Sequence, residues 1–349
     1  MKNLMAYKYL SVLTLPALAF ISFTQQGWIT FLPLIEAFAL IPLLELFFQP
    51  NPENFNEEQE RQKLNNPLYD ALVYLVVPVQ FYCLWLFLNS MNETLDPITI
   101  IGRISAMGLL CGVMGINVAH ELGHRKKRYE QWLSKALLLT SLYMHFFIEH
   151  NRGHHKHVST SEDPSSARRG ESLYAFWFRS VIGSYLSAWR LESKRLAKNG
   201  KSYLSISNEM IHFHFIQGIW LLAIYWYFGW VVLGYYFITA TIGFLLLETV
   251  NYIEHYGLTR SKNGDRYERT MPEHSWNSNH VMGRMMLFEL SRHSDHHYIA
   301  SRKYQVLRYM DESPQMPTGY PGMMLLATIP PLWFRVMDGM IDNFKKTLK

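Results

Sequence analysis

Residues 131–149, QWLSKALLLTSLYMHFFIE, decide the topology of this chain, because they form an apolar stretch just long enough to suggest a membrane span. Histidine clusters stand on both sides of it, HELGH at 120–124 and HNRGHH at 150–155. If the stretch crossed a bilayer, the two clusters would lie on opposite sides and no ion could bind to both. Lys135 also lies within it. We therefore predict a helix that is buried or lies at the interface and does not cross.

Two further histidine motifs lie downstream, NYIEHYGL at 251–258 and HSDHH at 293–297. Spacings of three and four residues place side chains on one helix face, about 5–6 Å apart, which is close enough to bind one ion. The pattern therefore predicts a metal site. The candidate ligands are nine of the 15 histidines: His120, His124, His150, His154, His155, His255, His293, His296 and His297.

The composition is typical of a polytopic membrane enzyme with polar parts outside the bilayer. The 349 residues are 49% hydrophobic, yet include 33 Lys and Arg and 28 Asp and Glu. A span needs about 20 apolar residues. Runs near that length lie at 7–24, 28–48, 69–91, 98–119, 211–228 and 231–253. We predict an all-α integral membrane protein with six transmembrane helices, the whole of 1–349 being a single catalytic domain.

Loop charge predicts the orientation, because cytoplasmic loops collect Lys and Arg. Basic residues lie between spans two and three and, as the run 125–128, after span four, whereas the turns at 24–27, 89–96 and 228–230 have none. Both termini are therefore predicted to face the cytoplasm. Segments 120–210 and 254–349 would then form a cytoplasmic helical and loop cap around the metal site. Arg103, near the outer end of span four, is expected to snorkel to the interface.

The first apolar run resembles a signal peptide, but no small-residue cleavage site follows it, so we expect it to be retained. The net charge of +5 is explained by the basic loops. No nucleic-acid partner is therefore predicted.

The ligand types narrow the choice of metal. Imidazole suits iron, copper, zinc and nickel, and Cys83 and Cys111 both lie inside predicted spans, where they form no CxxC site. Nine ligands exceed the needs of one ion and suit two. A structural zinc would take four ligands from a compact module, whereas these come from four distant parts of the chain. A paired iron site with open positions for O2 fits better, although the residues alone leave copper and zinc open.

Carboxylates stand beside several of these histidines. A ligating histidine usually donates its second ring N–H to a carboxylate or carbonyl, so four acidic residues are candidates to orient ligands: Glu121, Glu149, Glu254 and Asp295. The alternative for Glu121 or Glu149 is an ion pair with a nearby arginine.

Several motifs together resemble the membrane-bound alkane monooxygenases, a branch of the fatty-acid desaturase and hydroxylase superfamily. They are NVAHELGHRK at 117–126, FFIEHNRGHHKHVSTSEDP at 146–164, NYIEHYGL at 251–258, HSWNSNH at 274–280, LSRHSDHH at 290–297 and PTGYPGM at 317–323. HxxxH and HxxHH alone identify only the superfamily, whereas NYIEHYGL with RHSDHH favours alkane hydroxylation. Small departures at Ser161, Ser291 and Arg125 remove no ligand.

The resemblance implies a nonheme diiron enzyme that uses O2 and two electrons to convert a medium-chain n-alkane into a 1-alkanol. It also implies that the nine histidines hold the irons, and that the electrons come from a separate rubredoxin, reduced by an NAD(P)H-dependent rubredoxin reductase. The expected location is the bacterial inner membrane, from which the alkane enters. His274 and His280, in a matched motif, are expected to support the irons, with Asn277 and Asn279 beside them.

Basic residues on the cytoplasmic side are candidates to dock the acidic electron donor, although positive-inside topology alone also explains the first four. They are Arg125, Lys126, Lys127, Arg128, Arg168 and Arg169. The remaining histidines, His145, His157, His212 and His214, are expected to be packing or interface residues.

Three alternatives stay open. A xylene-type side-chain monooxygenase would differ mainly in the shape of its channel, and a fatty-acyl desaturase would need a polar groove for an activated acyl chain. A metal transporter would hold its histidines along a path near the bilayer midplane.

Overall fold

The protein is described by a computed structural model over residues 4–347, so the two chain ends, predicted to be cytoplasmic, lie outside the described residues. Regular structure in this range is almost entirely helical, as predicted. The α-helices are Leu4–Tyr7, Thr14–Thr24, Leu32–Ile35, Ile41–Glu45, Glu57–Leu64, Pro67–Ser90, Pro97–Leu110, Asn117–Gly123, Arg128–Leu139, Phe146–Glu149, His155–His157, Leu173–Lys198, Glu209–His255, Val281–Met286, His293–Tyr298, Tyr320–Ala327 and Pro330–Thr347.

Shorter elements complete the described chain. The 3-10 helices are Lys8–Leu13, Gly27–Phe31, Pro272–His274 and Tyr304–Val306, and the π-helices are Glu36–Leu40, Cys111–Ile116 and His150–His154. One antiparallel hairpin pairs Lys262–Asn263 with Arg266–Tyr267. Two of the three π-helices lie beside or within predicted histidine clusters, as is frequent at functional sites.

Five helical segments of the described chain are long and apolar enough to cross a membrane: Met5–Thr24, Gly27–Glu45, Pro67–Ser90, Pro97–Gly123 and Glu209–His255. The first four coincide closely with the first four predicted spans. The fifth has 47 residues and is interrupted by non-helical backbone at Gly229, with φ 77° and ψ 178°. That break falls in the predicted turn 228–230, between the last two predicted spans. The protein is an integral membrane protein, and six crossings remain a prediction.

The stretch 131–149 is not one of these segments. Its helix, Arg128–Leu139, has 12 residues and is therefore about 18 Å long, well short of the roughly 30 Å hydrocarbon core. Backbone turns follow at 140–145, with Leu142 at φ 53°. Lys135 pairs with Glu209 at 2.7 Å, and the Ser134 hydroxyl donates to the Ala119 carbonyl at 2.6 Å. The structure thus agrees with a segment that does not cross, although it is two helices rather than one.

The described chain forms two compact units. The first consists of residues 4–37, 67–151 and 185–247, and the second of residues 38–66, 152–184 and 248–347. The first unit contains most of the candidate membrane segments. The second contains the motif HSDHH, the segments on either side of it and the carboxyl-terminal helices.

Arg103 corrects one prediction in the first unit. It does not snorkel: it is 2% exposed, and its guanidinium donates to the carbonyls of Ser22, Gln25 and Ser90 at 3.2, 2.8 and 2.7 Å. These carbonyls lie at the ends of the helices Thr14–Thr24 and Pro67–Ser90, where the carbonyls of the last turn have no N–H donor within their own helix. The charge therefore finds its hydrogen bonds inside the protein.

The second unit has an aromatic core. Tyr252, Tyr256, Trp276 and Trp333 are all buried in it. The helix Pro330–Thr347 is strongly amphipathic and buries Trp333, Met337 and Ile341, spaced four residues apart. This core packs the carboxyl-terminal helix beside the segment that ends in His255.

Candidate metal centre

Three predicted ligands come together in the first unit. His120 lies in the helix Asn117–Gly123, His124 follows its last residue, and His150 begins the π-helix His150–His154. The Nε2 atoms of His124 and His150 are 3.0 Å apart, and the rings of His120 and His150 are 4.4 Å apart. The i, i+4 spacing in HELGH thus places the imidazoles of His120 and His124 close to each other and to that of His150.

Four more form a buried group in the second unit: His154, His255, His293 and His297. Each offers one ligand atom, and these atoms lie within 4.8 Å of one another. Nε2 of His154 is 3.2 Å from Nε2 of His297, and Nε2 of His293 is 3.2 Å from Nε2 of His255. We call these four residues the histidine quartet.

The remaining two predicted ligands, His155 and His296, form a pair in the second unit, with 3.1 Å between their Nε2 atoms. The His155 ring also lies 4.4 Å from the ring of His297, a member of the quartet. All nine predicted histidines therefore converge with other predicted histidines, three in the first unit and six in the second.

The quartet fits a metal ion of the kind that imidazole prefers. Metal–nitrogen bonds of about 2.1 Å at angles of 90–110° separate neighbouring ligand nitrogens by about 3.0–3.4 Å, which matches the two Nε2 separations of 3.2 Å. Burial, together with the neighbouring histidines, lowers the pKa of His297 well below its usual range. Its ring is therefore neutral and keeps the lone pair that a metal needs.

Asp163, which the sequence analysis did not single out, orients one member of the quartet. Nδ1 of His154 donates to Asp163 Oδ2 at 2.9 Å, and that carboxylate also accepts from the Ser166 hydroxyl and the Ser165 backbone N–H. Burial alone would raise the pKa of Asp163, but His154 and Ser166 lower it below its usual range. An ionised Asp163 fixes the proton on Nδ1 and leaves Nε2 as the ligand atom.

Glu254 is the predicted carboxylate that lies at the quartet. Its Oε2 is 3.1 Å from Nε2 of His293, and its Oε1 accepts a hydrogen bond from the Tyr320 hydroxyl at 2.7 Å. Tyr320 belongs to the motif PTGYPGM. Through Tyr320, this motif therefore positions the Glu254 carboxylate beside Nε2 of His293, which is a predicted metal ligand.

Of the three other carboxylates predicted to orient ligands, two pair with arginines and one is buried. Glu121 accepts from Arg125 at 2.8 Å, which is the ion pair given as the alternative for this residue. Asp295 accepts from the backbone N–H and guanidinium of Arg308 and lies 3.3 Å from Nε of Arg302. Glu149 is buried at the end of the helix Phe146–Glu149.

His274 is buried and His280 is half-buried, and burial lowers the pKa of each. His274 Nε2 is 3.2 Å from Glu268 of the hairpin region, and its carbonyl accepts from the Ser159 hydroxyl at 2.7 Å. His280 Nδ1 is 3.0 Å from the Ser278 hydroxyl. In the same motif, Asn277 contacts Gln315 and Ser294.

The four histidines that belong neither to the nine candidate ligands nor to the motif HSWNSNH have local partners. His212 and His214 bond to the carbonyls of Ile206 and Met210, and His157 lies 3.2 Å from Glu162. His145 packs 4.3 Å from the Tyr143 ring, and its burial lowers its pKa to about 3. These contacts agree with the packing roles predicted for them.

The structure separates the predicted docking residues into buried and exposed ones. Arg125 is 7% exposed and pairs with Asp70, Glu121 and Glu130 at 2.5, 2.8 and 3.1 Å. This burial corrects its assignment as a docking residue. Arg169 pairs with Asp342 and Asp338. The exposed members are Lys126, Lys127, Arg128, Arg168 and Arg169.

Comparison with known proteins adds the family. The fatty acid desaturase family model matches residues 98–326. An alkane 1-monooxygenase from Pseudomonas aeruginosa is 45% identical over 309 residues, covering 87% of this chain and 81% of the relative. A second, from Alcanivorax borkumensis, is 37% identical over 349 residues, covering 97% and 90%. A xylene/toluene monooxygenase hydroxylase component from Pseudomonas putida is 30% identical over 308 residues, covering 86% and 80%.

Proposed function

This chain belongs to the alkane 1-monooxygenases of the fatty acid desaturase family, and we propose from that premise that it hydroxylates the terminal carbon of a medium-chain n-alkane. It is accordingly a monooxygenase, an oxidoreductase. The observation that carries the proposal is the buried histidine quartet, in which Asp163 orients His154, in a chain so similar to enzymes of that name.

We propose that two iron ions occupy the centre. The nine candidate histidines would be their ligands, with the quartet holding one of the two ions. Bound iron would supply the reduction of O2, in which an alkane, O2, two electrons and two protons give a 1-alkanol and water. Imidazole ligands alone are compatible with other metals, so metal analysis belongs to the test.

The protein's own residues have separate tasks in this proposal. Asp163 aims Nε2 of His154, and Tyr320 holds Glu254 at His293. The quartet is almost fully buried, with 0–5% exposure, so the residues around it exclude bulk water. An alkane has no polar handle and partitions into the bilayer, so an approach from the membrane suits both the substrate and this dry site.

Electrons would come from a separate rubredoxin, reduced by an NAD(P)H-dependent reductase. We propose that it docks on the cytoplasmic side of the inner membrane, where both chain termini would also lie. Lys126, Lys127, Arg128 and Arg168 are exposed cations suited to an acidic carrier. Arg169 would contribute less, because Asp342 and Asp338 already neutralise its charge.

A side-chain hydroxylase for alkylbenzenes is the second candidate. The 30% identity with the xylene/toluene monooxygenase hydroxylase component favours it over a desaturase or a transporter. It would use the same histidines and the same reaction stoichiometry. A toluene or xylene arm in the assay separates it from the alkane hydroxylase.

The test is reconstitution of the purified full-length chain. Bound metal is measured first. Rubredoxin, its reductase, NADH and n-alkanes from short to long are then supplied, with xylene in parallel. We expect iron and 1-alkanols, and we expect loss of turnover in His154→Ala and in His296→Ala. His212→Ala is the matched control, because the His212 ring bonds to the nearby carbonyl of Ile206.

Two results would overturn the proposal. One is a chain that binds no iron when folded. The other is an iron-loaded chain that forms no 1-alkanol from any chain length. Xylene oxidation without alkane oxidation would instead establish the second candidate.

A further inference from the structure

One ridge on the helix Leu173–Lys198 changes from apolar to basic along its length. Every fourth residue, Tyr174, Phe178, Ile182 and Leu186, is exposed, by 45%, 75%, 58% and 43%. The next three positions of the same series are the exposed residues Arg190, Lys194 and Lys198. A row of residues four apart is inclined to the helix axis, so the ridge winds from an apolar part of the helix surface to a basic one.

The opposite face of this helix packs against the end of a candidate membrane segment. The Phe176 ring is 5.4 Å from the Tyr252 ring, and the Trp177 indole N–H donates to the Thr249 hydroxyl at 3.1 Å. Thr249 lies six residues before His255, where the segment Glu209–His255 ends, which is about 9 Å along the helix. The first turns of the Leu173–Lys198 helix therefore lie at the level where a membrane helix leaves the bilayer.

A second element extends the apolar surface. The Tyr174 hydroxyl donates to the Thr328 carbonyl at 2.8 Å, in the turn between the helices Tyr320–Ala327 and Pro330–Thr347. Three apolar side chains around that turn, Leu325, Ile329 and Leu332, are 42%, 54% and 44% exposed. Two elements thus present exposed apolar side chains beside each other.

We propose that this surface lies in the membrane–water interface, with its apolar side chains at the boundary of headgroups and acyl chains. Arg190, Lys194 and Lys198 would bind the headgroups of anionic lipids. A helix with an apolar face and a basic face lies in this way in the plane of the interface, and each nearby Lys or Arg adds attraction to anionic lipid. We choose the bilayer rather than a protein partner because the first turns of this helix pack against the end of a membrane segment. The inference does not depend on the hydroxylation.

The apolar part of the inference is tested in lipid nanodiscs with the full-length chain. Phe178→Cys and Ile182→Cys are each labelled with a fluorophore, and the exposed hairpin residue Lys262→Cys is the matched control. The unsubstituted chain measures background from Cys83 and Cys111, which are buried. We expect doxyl-labelled lipid to quench positions 178 and 182 while aqueous iodide does not, and the reverse at position 262. Labels at 178 and 182 that iodide quenches and doxyl lipid does not would overturn the inference and indicate a protein-binding surface.

The basic part has its own measurement. In the Ile182→Cys chain, we expect lipid quenching to increase when phosphatidylglycerol replaces part of the phosphatidylcholine. We expect Arg190→Gln, Lys194→Gln and Lys198→Gln together to abolish that increase. Lys345→Gln with Lys346→Gln, exposed cations on another helix, should leave it unchanged. If quenching in the Ile182→Cys chain with Arg190, Lys194 and Lys198 intact does not change with lipid charge, the role of anionic lipid is refuted.

Discussion

Asp163 determines which nitrogen of His154 is available to an ion. Its carboxylate accepts from Nδ1 at 2.9 Å, and two donors from its own loop, Ser165 and Ser166, hold it in place. Partners of this kind fix both the tautomer and the aim of a ligating histidine. A residue that touches no metal can therefore control how well the metal binds.

We predict that Asp163→Asn lowers metal affinity about 10–100-fold, as loss of such a partner typically does. The amide keeps the size of the side chain but loses the charge that holds the proton on Nδ1. Competition with a metal chelator measures the affinity, and circular dichroism verifies that the helices remain. Glu162→Gln is the matched control, because Glu162 is the exposed neighbour of Asp163 and its carboxylate pairs with His157. Equal affinities in the two variants would show that Asp163 has no positioning role.

His145 makes a prediction about pH. Burial, and secondarily His214, lower its pKa to about 3, whereas an unfolded histidine titrates near about 6.5. Between these values the unfolded chain binds the additional proton, so stability falls as pH decreases from about 6.5 towards 3. We expect His145→Gln to weaken this dependence, measured as the thermal unfolding midpoint from pH 7 to pH 4. A wild-type slope in His145→Gln would contradict the prediction.

At the scale of elements, small residues allow two membrane helices to approach closely in the first unit. A Cβ atom on Gly108 would lie 2.6 Å from Ile242 Cγ2 and 2.7 Å from its Cβ, and one on Gly243 would lie 2.6 Å from the Cβ of Cys111. Gly108 and Gly112 are four residues apart on the same helix face. Close backbone approach through small residues is a main source of helix association in membranes.

We predict that Gly108→Ala lowers stability by about 1–3 kcal/mol, the usual cost of overpacking. Gly234→Ala is the matched control, because it lies in the same pair of membrane helices and a Cβ there meets nothing within 4 Å. Alanine favours a helix over glycine, so the control should be neutral or slightly stabilising. Thermal unfolding in detergent measures both, and a Gly108→Ala chain as stable as Gly234→Ala would refute the packing argument.

The helical elements were largely predictable because apolar runs of membrane length form one kind of structure. Even the break at Gly229 falls in a turn that the sequence predicts. The turn at 140–145 was not predicted, because nothing in an apolar run such as ALLLTSLYM indicates where it bends. Arg103 was misplaced for a related reason: its carbonyl partners belong to two other helices, and only their packing brings them together.

The candidate site was predictable to the extent that its ligands recur at helical spacings. The spacing in HELGH and HSDHH points to candidate ligands, but it says nothing of what orients them. Asp163 belongs to an irregular loop, nine residues after His154, and its contact depends on how that loop folds. Asp295, in contrast, stands between ligands in the sequence and yet pairs with Arg308. Sequence proximity to a ligand is therefore a weak guide to the residues that support it.

At the scale of the whole molecule, the proposed diiron centre makes a demand on topology, because its nine candidate histidines are spread along the chain. They come from segments separated by residues 131–149 and by the long segment Glu209–His255, so a centre that used all nine would need every one of these segments to emerge on the same side of the membrane. That condition holds only if residues 131–149 do not cross and if Glu209–His255 crosses twice, with its turn at Gly229 on the far side. The first requirement agrees with a helix of 12 residues, and the second can be tested directly.

We predict that Trp230→Cys reacts with a membrane-impermeant thiol reagent in intact spheroplasts. Lys201→Cys and Lys262→Cys, on either side of the long segment, should react only after the membrane is opened. Trp230 is 76% exposed and adjoins the non-helical Gly229, so a turn outside the bilayer would leave it accessible. The unsubstituted chain is the control, because both its cysteines are buried. Labelling of positions 201 and 262 from opposite sides would mean that Glu209–His255 crosses once, which would place His255 across the membrane from HELGH and exclude a shared centre.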